Sequence, residues 1–443
     1  MPRENILAIV CALLRFAVCC YRAANQAVII DEATTYNQFV SGPWRKLFGR
    51  YDANNHLLSS ILIKASVTYG HLSPFMLRLP SLLAGLALAL GVFWLLKCVE
   101  SRLFRWAAFI LFCLYPLILD FSIAARGYSL SLAFLVWGLY FAWEKRYVLA
   151  GVLLGLAIAS NLAIVFPALA LLFVFAVRDK KAVLYLAVPA LLIGGLLNYP
   201  SLRRAHRGDF YTGYPELHTA VTSFVYTSLH AGRDGILGER DIADRIAVFG
   251  LPVFGIALAL LGVKNRLPFF ILAITFIGLV LARMLFGVNY PADRTCLYFA
   301  ILGILAWAMA ADAIDNCFGQ ALWLLPAILV AIQFCTQLQT HYFEFWQNQA
   351  DDGRIAQLIQ QASAGKPDNS LAVSSTWIQQ PSLEFYRRCF HISALKPVQR
   401  LEPTPLTGFD FYVLSWGDLE RVKQTNLKIV FADPDVEVIL AEP

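Results

Sequence analysis

The chain has 443 residues, 58% of them hydrophobic and only 15% charged, against roughly 25% charged in ordinary soluble domains. With a mean hydropathy of +0.60 this excludes a soluble protein built on a single core, and the formal net charge of +6 has to be read by position, because Lys and Arg in a membrane protein report orientation before partners. Apolar runs near the roughly 17–25 residues that span a bilayer recur through the first three quarters of the chain, which makes it a polytopic membrane protein.

The first run, 6–20, follows Arg3 in the manner of a signal peptide. No small-residue cleavage site is evident in "CCYRAANQA" and further spans follow, so an uncleaved first transmembrane helix is expected. Reading the apolar runs as helices gives spans at 5–24, 77–97, 106–123, 128–143, 147–160, 161–177, 182–198, 246–263, 268–286, 296–311 and 320–338, about eleven in all. Between 147 and 177 the only polar break is "ASNLA". Arg3, Lys97, Arg102, Arg105, Lys145, Arg146, Arg178, Lys180, Lys181, Lys264 and Arg266 all fall on one side of this arrangement. The positive-inside rule makes that side cytoplasmic, with the N-terminus. The acidic loop "DAIDNCFG" disagrees, but acids contribute little to topology.

The expected organisation is a transmembrane domain over 1–340, with external loops at 25–76 and 199–245, and an external or periplasmic domain over 341–443, in an inner (plasma) membrane. Within the first loop, Leu57, Leu58, Ile61, Leu62 and Ala65 recur at helical spacing opposite Ser59, Ser60 and Ser66, which predicts a helix lying in the interfacial plane. The tail is polar. "LAVSSTW", "DFYVLSW", "LKIVFAD" and "VEVILAE" read as strands, and "GRIAQLIQQASAG" and "PSLEFYRRCF" as helices, predicting a small α/β domain. It contains no Gly-rich phosphate loop and no nucleophile with an evident base, so a structural or acceptor-guiding role is expected of it. The nine cysteines show no paired C-x-x-C and read as small packing residues.

Three polar groups interrupt the apolar pattern on the expected external face. Asp31 and Glu32 follow the first span in "AVIIDEATTYNQFV"; Asp31 in this position also suits a helix N-cap, with Glu32 in a first turn favoured by the helix dipole. Asp120 and Arg126 flank the turn in "LDFSIAARGYSLSLAF", where a mutual ion pair is one reading and a functional site the other. Asp293 and Arg294 lie in "GVNYPADRTCLYF". An outward-facing Arg runs against the positive-inside trend, and an anionic phosphate is its natural partner, because a planar guanidinium grips phosphate through two nitrogens. In the long loop Arg203, Arg204, His206 and Arg207 form either an anion-attracting patch or a solvated basic face, and Tyr211 and Tyr214 have rings able to stack on sugars.

Together these groups fit transfer of a sugar from a lipid-linked phosphate donor to a hydroxyl or similar nucleophile. A carboxylate removes the acceptor proton, cations neutralise the departing phosphate, and greasy helices hold an isoprenoid tail. "DEATTYNQF", "YDANNHLLSSILIKASVTYGHLSPFMLRLPSLLAG", "AARGYSL" and "YPADR", in that order, resemble the bacterial branch of the protein mannosyltransferase-like, GT-C fold glycosyltransferases, which includes protein O-mannosyltransferases and lipid A aminoarabinose transferases.

That resemblance implies an all-α polytopic enzyme with a small C-terminal soluble domain, using a polyprenyl-phosphate sugar on the external face with inversion at the anomeric carbon. It carries over to Asp31 as the base with Glu32 beside it, to Arg126 as a phosphate contact and, less directly, to Arg294. His56 stands near the place where relatives carry "HPP" and this chain has "NNHLL"; a surface histidine opening the interfacial helix is the other reading. Asp120 joins the candidate phosphate-binding set. The implied partners are the donor, a glycan, lipid or protein acceptor, and membrane lipids, with no nucleic acid. No motif encodes a metal, and the family has members that use a divalent ion and members that do not. A transporter or lipid flippase is the rival; it would place its charges near the midplane, often in two similar halves, and no internal repeat is visible here.

Overall fold

The computed structural model describes residues 3–49, 52–205, 213–230, 237, 239–261, 267–403 and 406–443; Lys264, Arg266, His206, Arg207 and Tyr211, singled out above, lie outside them. Seven described helices are long and apolar enough to cross a membrane: Arg3–Asn25, Pro74–Leu96, Lys180–Leu202, Arg240–Leu260, Leu267–Phe286, Asp293–Ala313 and Cys317–Gln337. The chain is thus a multi-pass membrane protein, with fewer helices of spanning length than the expected count of about eleven. The runs at 128–143, 147–160 and 161–177 form the shorter apolar helices Tyr128–Trp143, Tyr147–Ser160 and Leu162–Arg178. The run at 106–123 is broken into Arg102–Leu114 and Pro116–Phe121, because Pro116 has no N–H to continue the ladder.

The chain divides into two compact units, the first comprising Met1–Cys20, Phe48–Ser59 and Leu79–Leu338, the second Tyr21–Leu47, Ser60–Arg78 and Gln339–Pro443. In the first unit, large apolar side chains such as Leu196, Leu260 and Phe286 point outward from the spans, as lipid contact requires. Helices Tyr128–Trp143 and Lys180–Leu202 both pack on Tyr147–Ser160. Close approach there depends on Gly151, where a Cβ would meet the Leu186 carbonyl at 2.4 Å. Arg15, 6% exposed, sits within this bundle and donates to Ser122 Oγ (2.6 Å) and to the carbonyls of Gly85 (3.3 Å) and Ile118 (3.4 Å). With these acceptors satisfied it acts as a polar staple between helices.

In the second unit the strands lie where the tail sequence puts them: β1 Val373–Ser375, β3 Phe411–Ser415, β4 Lys428–Asp433 and β5 Val438–Glu442, with a two-residue β2, Gln399–Arg400. The sheet order is β2-β1-β3-β5-β4. β1 runs parallel to β2 and β3, while β5 pairs antiparallel with β3 and β4. Tyr412, Leu414, Ile439 and Ala441 form the core of one face with Val422. The helices Asp352–Ala362 and Gln380–Cys389 pack against each other, and Gln380–Cys389 also packs on the short helix Ile30–Thr34.

The helix predicted in the first loop is Leu57–Gly70, but burial does not divide it into the expected apolar and polar sides. Ser59 and Ser60 are fully buried, whereas Leu62 is exposed.

Candidate functional site

In the second unit the acidic pair splits into two different environments. The helix that carries it, Ile30–Thr34, is capped by Ile29 and not by Asp31. Glu32, at the third helical position, reaches back so that its Oε2 accepts the Ile29 N–H at 3.2 Å, the return half of a capping box. Thus Glu32 does the capping expected of Asp31. Its carboxylate is wholly buried against an equally buried Arg78, whose Nε donates to Oε1 at 2.9 Å and Nη2 to Oε2 at 2.6 Å. The remaining guanidinium donors go to the carbonyls of Ala23 (3.0 Å), Gln26 (2.8 Å) and Ala27 (2.7 Å). Every N–H of Arg78 is therefore engaged, and the Phe343 ring lies 5.1 Å away. Asp31, one residue earlier, is only half-buried.

The first unit brings the other predicted segments together. Asn54, His56, Arg126 and Arg294 come from three stretches far apart in sequence and converge around one imidazole. Arg126, 2% exposed, donates through Nη1 to Asn54 Oδ1 and through Nη2 to Ala53 O at 3.1 Å. Its guanidinium stands 5.9 Å from the Tyr128 ring, and that ring stands 5.3 Å from His56. Burial first, then the charges of Arg126 and Arg294, hold His56 well below the usual histidine range, against the opposing pull of a hydrogen bond with the Ser160 backbone. His56 is accordingly neutral, and its Nε2 is buried with no hydrogen-bond partner. His56 is part-buried, with its Nε2 shielded from solvent, so it stands between the surface reading and a fully buried one. Gly127 makes the cluster possible: a Cβ there would lie 1.9 Å from the Ser160 carbonyl oxygen and 2.8 Å from His56 Cβ.

Asp120 is 3% exposed in the helix Pro116–Phe121, and its carbonyl accepts the N–H groups of Ile123 (3.0 Å) and Ala124 (2.9 Å), turning the chain toward Arg126. Arg294, half-buried, occupies the 3₁₀ turn Asp293–Cys296. That turn is braced by a helix absent from the sequence reading, Leu217–Leu229, whose Ser223 donates to Asp293 Oδ1. Tyr214, considered as a sugar-stacking ring, exchanges backbone hydrogen bonds with Tyr290 (2.9 and 2.8 Å), and its hydroxyl is 3.0 Å from Ser223 Oγ. Arg203 and Arg204 lie exposed at the end of Lys180–Leu202.

Sequence reasoning missed Arg78 and Ser223. An arginine inside the apolar run "MLRLPSLLAG" is itself a signal, since such a residue requires a buried partner. Ser223 carried none. Among the described residues no three His, Cys, Asp or Glu side chains gather so as to hold a metal ion.

No family model matches the sequence, and no curated protein matches it. Solved structures do. ArnT of Cupriavidus metallidurans, bound to undecaprenyl phosphate, is 14% identical with a TM-score of 0.56, over 100% of this chain and 98% of that one. The oligosaccharyltransferase of Archaeoglobus fulgidus in its apo form is 14% identical with a TM-score of 0.52, over 94% of this chain and 70% of that one. The arabinofuranosyltransferase AftD from mycobacteria is 12% identical with a TM-score of 0.50; 94% of this chain covers 37% of it. At such identities the likeness speaks for the fold, and the fold is the GT-C glycosyltransferase fold expected from the motifs.

Proposed function

We propose that this protein is a membrane glycosyltransferase that moves a sugar from a polyprenyl-phosphate donor to an acceptor on the external face, with inversion. The observation that carries this reading is the gathering of Arg126 and Arg294 about a neutral, part-buried His56 in a GT-C fold. The cluster has the net positive charge that a phosphate leaving group needs. ArnT, whose fold it shares, was solved with such a lipid phosphate.

The proposal assigns two separable roles. Asp31 takes the proton of the acceptor nucleophile as the new bond to the anomeric carbon forms, because it is the member of the acidic pair not committed to Arg78. Arg126 and Arg294 stabilise the phosphate oxygen that receives the electron pair of the breaking bond. Glu32 holds the helix that carries Asp31, and Asp120 shapes the turn that carries Arg126. No step is assigned to a metal ion. The Asn54 side chain and the unpartnered His56 Nε2 are hydrogen-bonding groups for the donor beside those cations.

The test is to incubate purified protein with a panel of polyprenyl-phosphate sugars and candidate acceptors, following donor consumption and product by mass spectrometry. One donor should be consumed, and Asp31→Asn, folded as wild type, should abolish transfer. A protein that consumes no donor, or an Asp31→Asn variant at full rate, would overturn the assignment.

A further inference from the structure

We infer that Gln349 and Tyr386, from the C-terminal part of the second unit, are positioning residues for Asp31: they clamp the backbone leading into its helix and so fix where its carboxylate stands. The inference rests on the reading of Asp31 as the base. Three consecutive N–H groups precede Asp31, and each is satisfied by a side chain. Val28 N–H donates to the Tyr386 hydroxyl at 2.9 Å, Ile29 N–H to Glu32 Oε2 at 3.2 Å and Ile30 N–H to Gln349 Oε1 at 2.9 Å. Two of these three acceptors are more than 300 residues away in sequence.

Gln349 is held in the one orientation that serves this purpose. The two N–H groups of its amide have three acceptors in reach, Asp352 Oδ2 (3.1 Å), Ile378 O (2.9 Å) and Ser382 Oγ (3.1 Å), which leaves the carbonyl oxygen facing Ile30. Gln349 is fully buried and Tyr386 is 3% exposed, so neither has water to fall back on. The same helix, Gln380–Cys389, grips the chain on the far side of the acidic pair. Pro381 O accepts from Asn37 Nδ2 at 2.8 Å, and the Phe385 ring meets Tyr36 edge-on at 5.3 Å. Residues 28–37 are therefore tethered before and after Asp31 by side chains and backbone of the C-terminal segment. A general base has to stand within hydrogen-bond reach of the proton it takes, and displacement by about an ångström costs on the order of a hundredfold in rate.

The experiment uses the full-length protein in detergent and the variants Tyr386→Phe, Gln349→Met, Asp31→Asn and, as a matched control, Tyr412→Phe. Tyr412 also accepts a backbone N–H through its hydroxyl, that of Phe409 at 3.0 Å, but in the sheet. Amide exchange over residues 27–33 should rise about tenfold in Tyr386→Phe and Gln349→Met. Their kcat should fall about ten- to a hundredfold with donor KM nearly unchanged, while Tyr412→Phe moves neither readout. Unchanged exchange over 27–33 would overturn the clamp. Full kcat in both clamp variants, with Asp31→Asn inactive, would overturn the positioning role and leave the base reading standing. A fully active Asp31→Asn would instead overturn the base reading and the catalytic half of this inference with it.

Discussion

Replacing Arg78 by Met removes a guanidinium whose five N–H groups all have acceptors within 3.0 Å, while filling much of the same volume. What remains is a Glu32 carboxylate with no exposed surface, and the carbonyls of Ala23, Gln26 and Ala27 without their donor. Removing one partner of a buried pair costs about 3–5 kcal/mol, most of it the penalty of stranding the other charge. At about 2–4 °C per kcal/mol for a unit of this size, the melting temperature should drop by about 6–20 °C. The assay is thermal unfolding of the detergent-purified protein, read for wild type, Arg78→Met, Glu32→Gln and the double variant. Because each single change strands the other group and the double change strands neither, the double variant should be more stable than the sum of the singles by about 2–3 kcal/mol. An Arg78→Met protein melting within about 2 °C of wild type, or strictly additive losses, would refute the view that this pair anchors the acidic segment.

Four further outcomes are expected. Arg126→Ala should raise the KM for the lipid-phosphate donor about tenfold or more while leaving the acceptor KM unchanged, as steady-state kinetics with each substrate varied would show. Gly127→Ala should cost about 1–3 kcal/mol and much of the transfer rate, because its Cβ collides with the Ser160 carbonyl; wild-type melting and activity would count against the packing argument. His56 is neutral in the folded protein while the unfolded chain takes a proton near the ordinary value of about 6.5, so the unfolded state binds more protons below that pH. Stability should fall as pH drops from about 6.5, by up to about 1.4 kcal/mol per unit, and His56→Gln should remove that slope in melts at pH 7.5 and 5.5. Asp352 has the opposite sign: burial, against hydrogen bonds from Ser382 and Gln349, pushes its carboxyl well above the usual range. The folded state therefore binds the extra proton, and stability drains away as pH rises above the unfolded value of about 4. Asp352→Asn should consequently gain on wild type progressively from pH 5 to pH 8.

Much of this protein was legible in the order of its residues. The spans follow from runs of apolar side chains, and the tail strands from short β-branched and aromatic segments. Arg126, Arg294 and His56 were visible because charged and polar groups beside membrane helices are costly and need a reason. Their convergence needed the three-dimensional chain, since residues 56, 126 and 294 carry no local pattern that links them. The two acids next to each other at 31 and 32 look alike in sequence, and the N-cap preference of Asp pointed to the wrong one as the capping side chain. The helix Leu217–Leu229 was missed within a polar loop because its mixed composition has too little periodicity to announce itself.

The sequence by itself determined that the chain is a multi-span membrane protein with a polar α/β tail, because hydrophobicity and strand propensity act over a few residues and can be read locally. Only the tertiary structure decided which of the two acids pairs with Arg78. That choice depends on Arg78, 46 residues from Glu32, and on the acceptors Gln349 and Tyr386, more than 300 residues from the N–H groups they hold. Buried polar groups must find partners wherever the fold delivers them, and no local pattern of residues records that pairing.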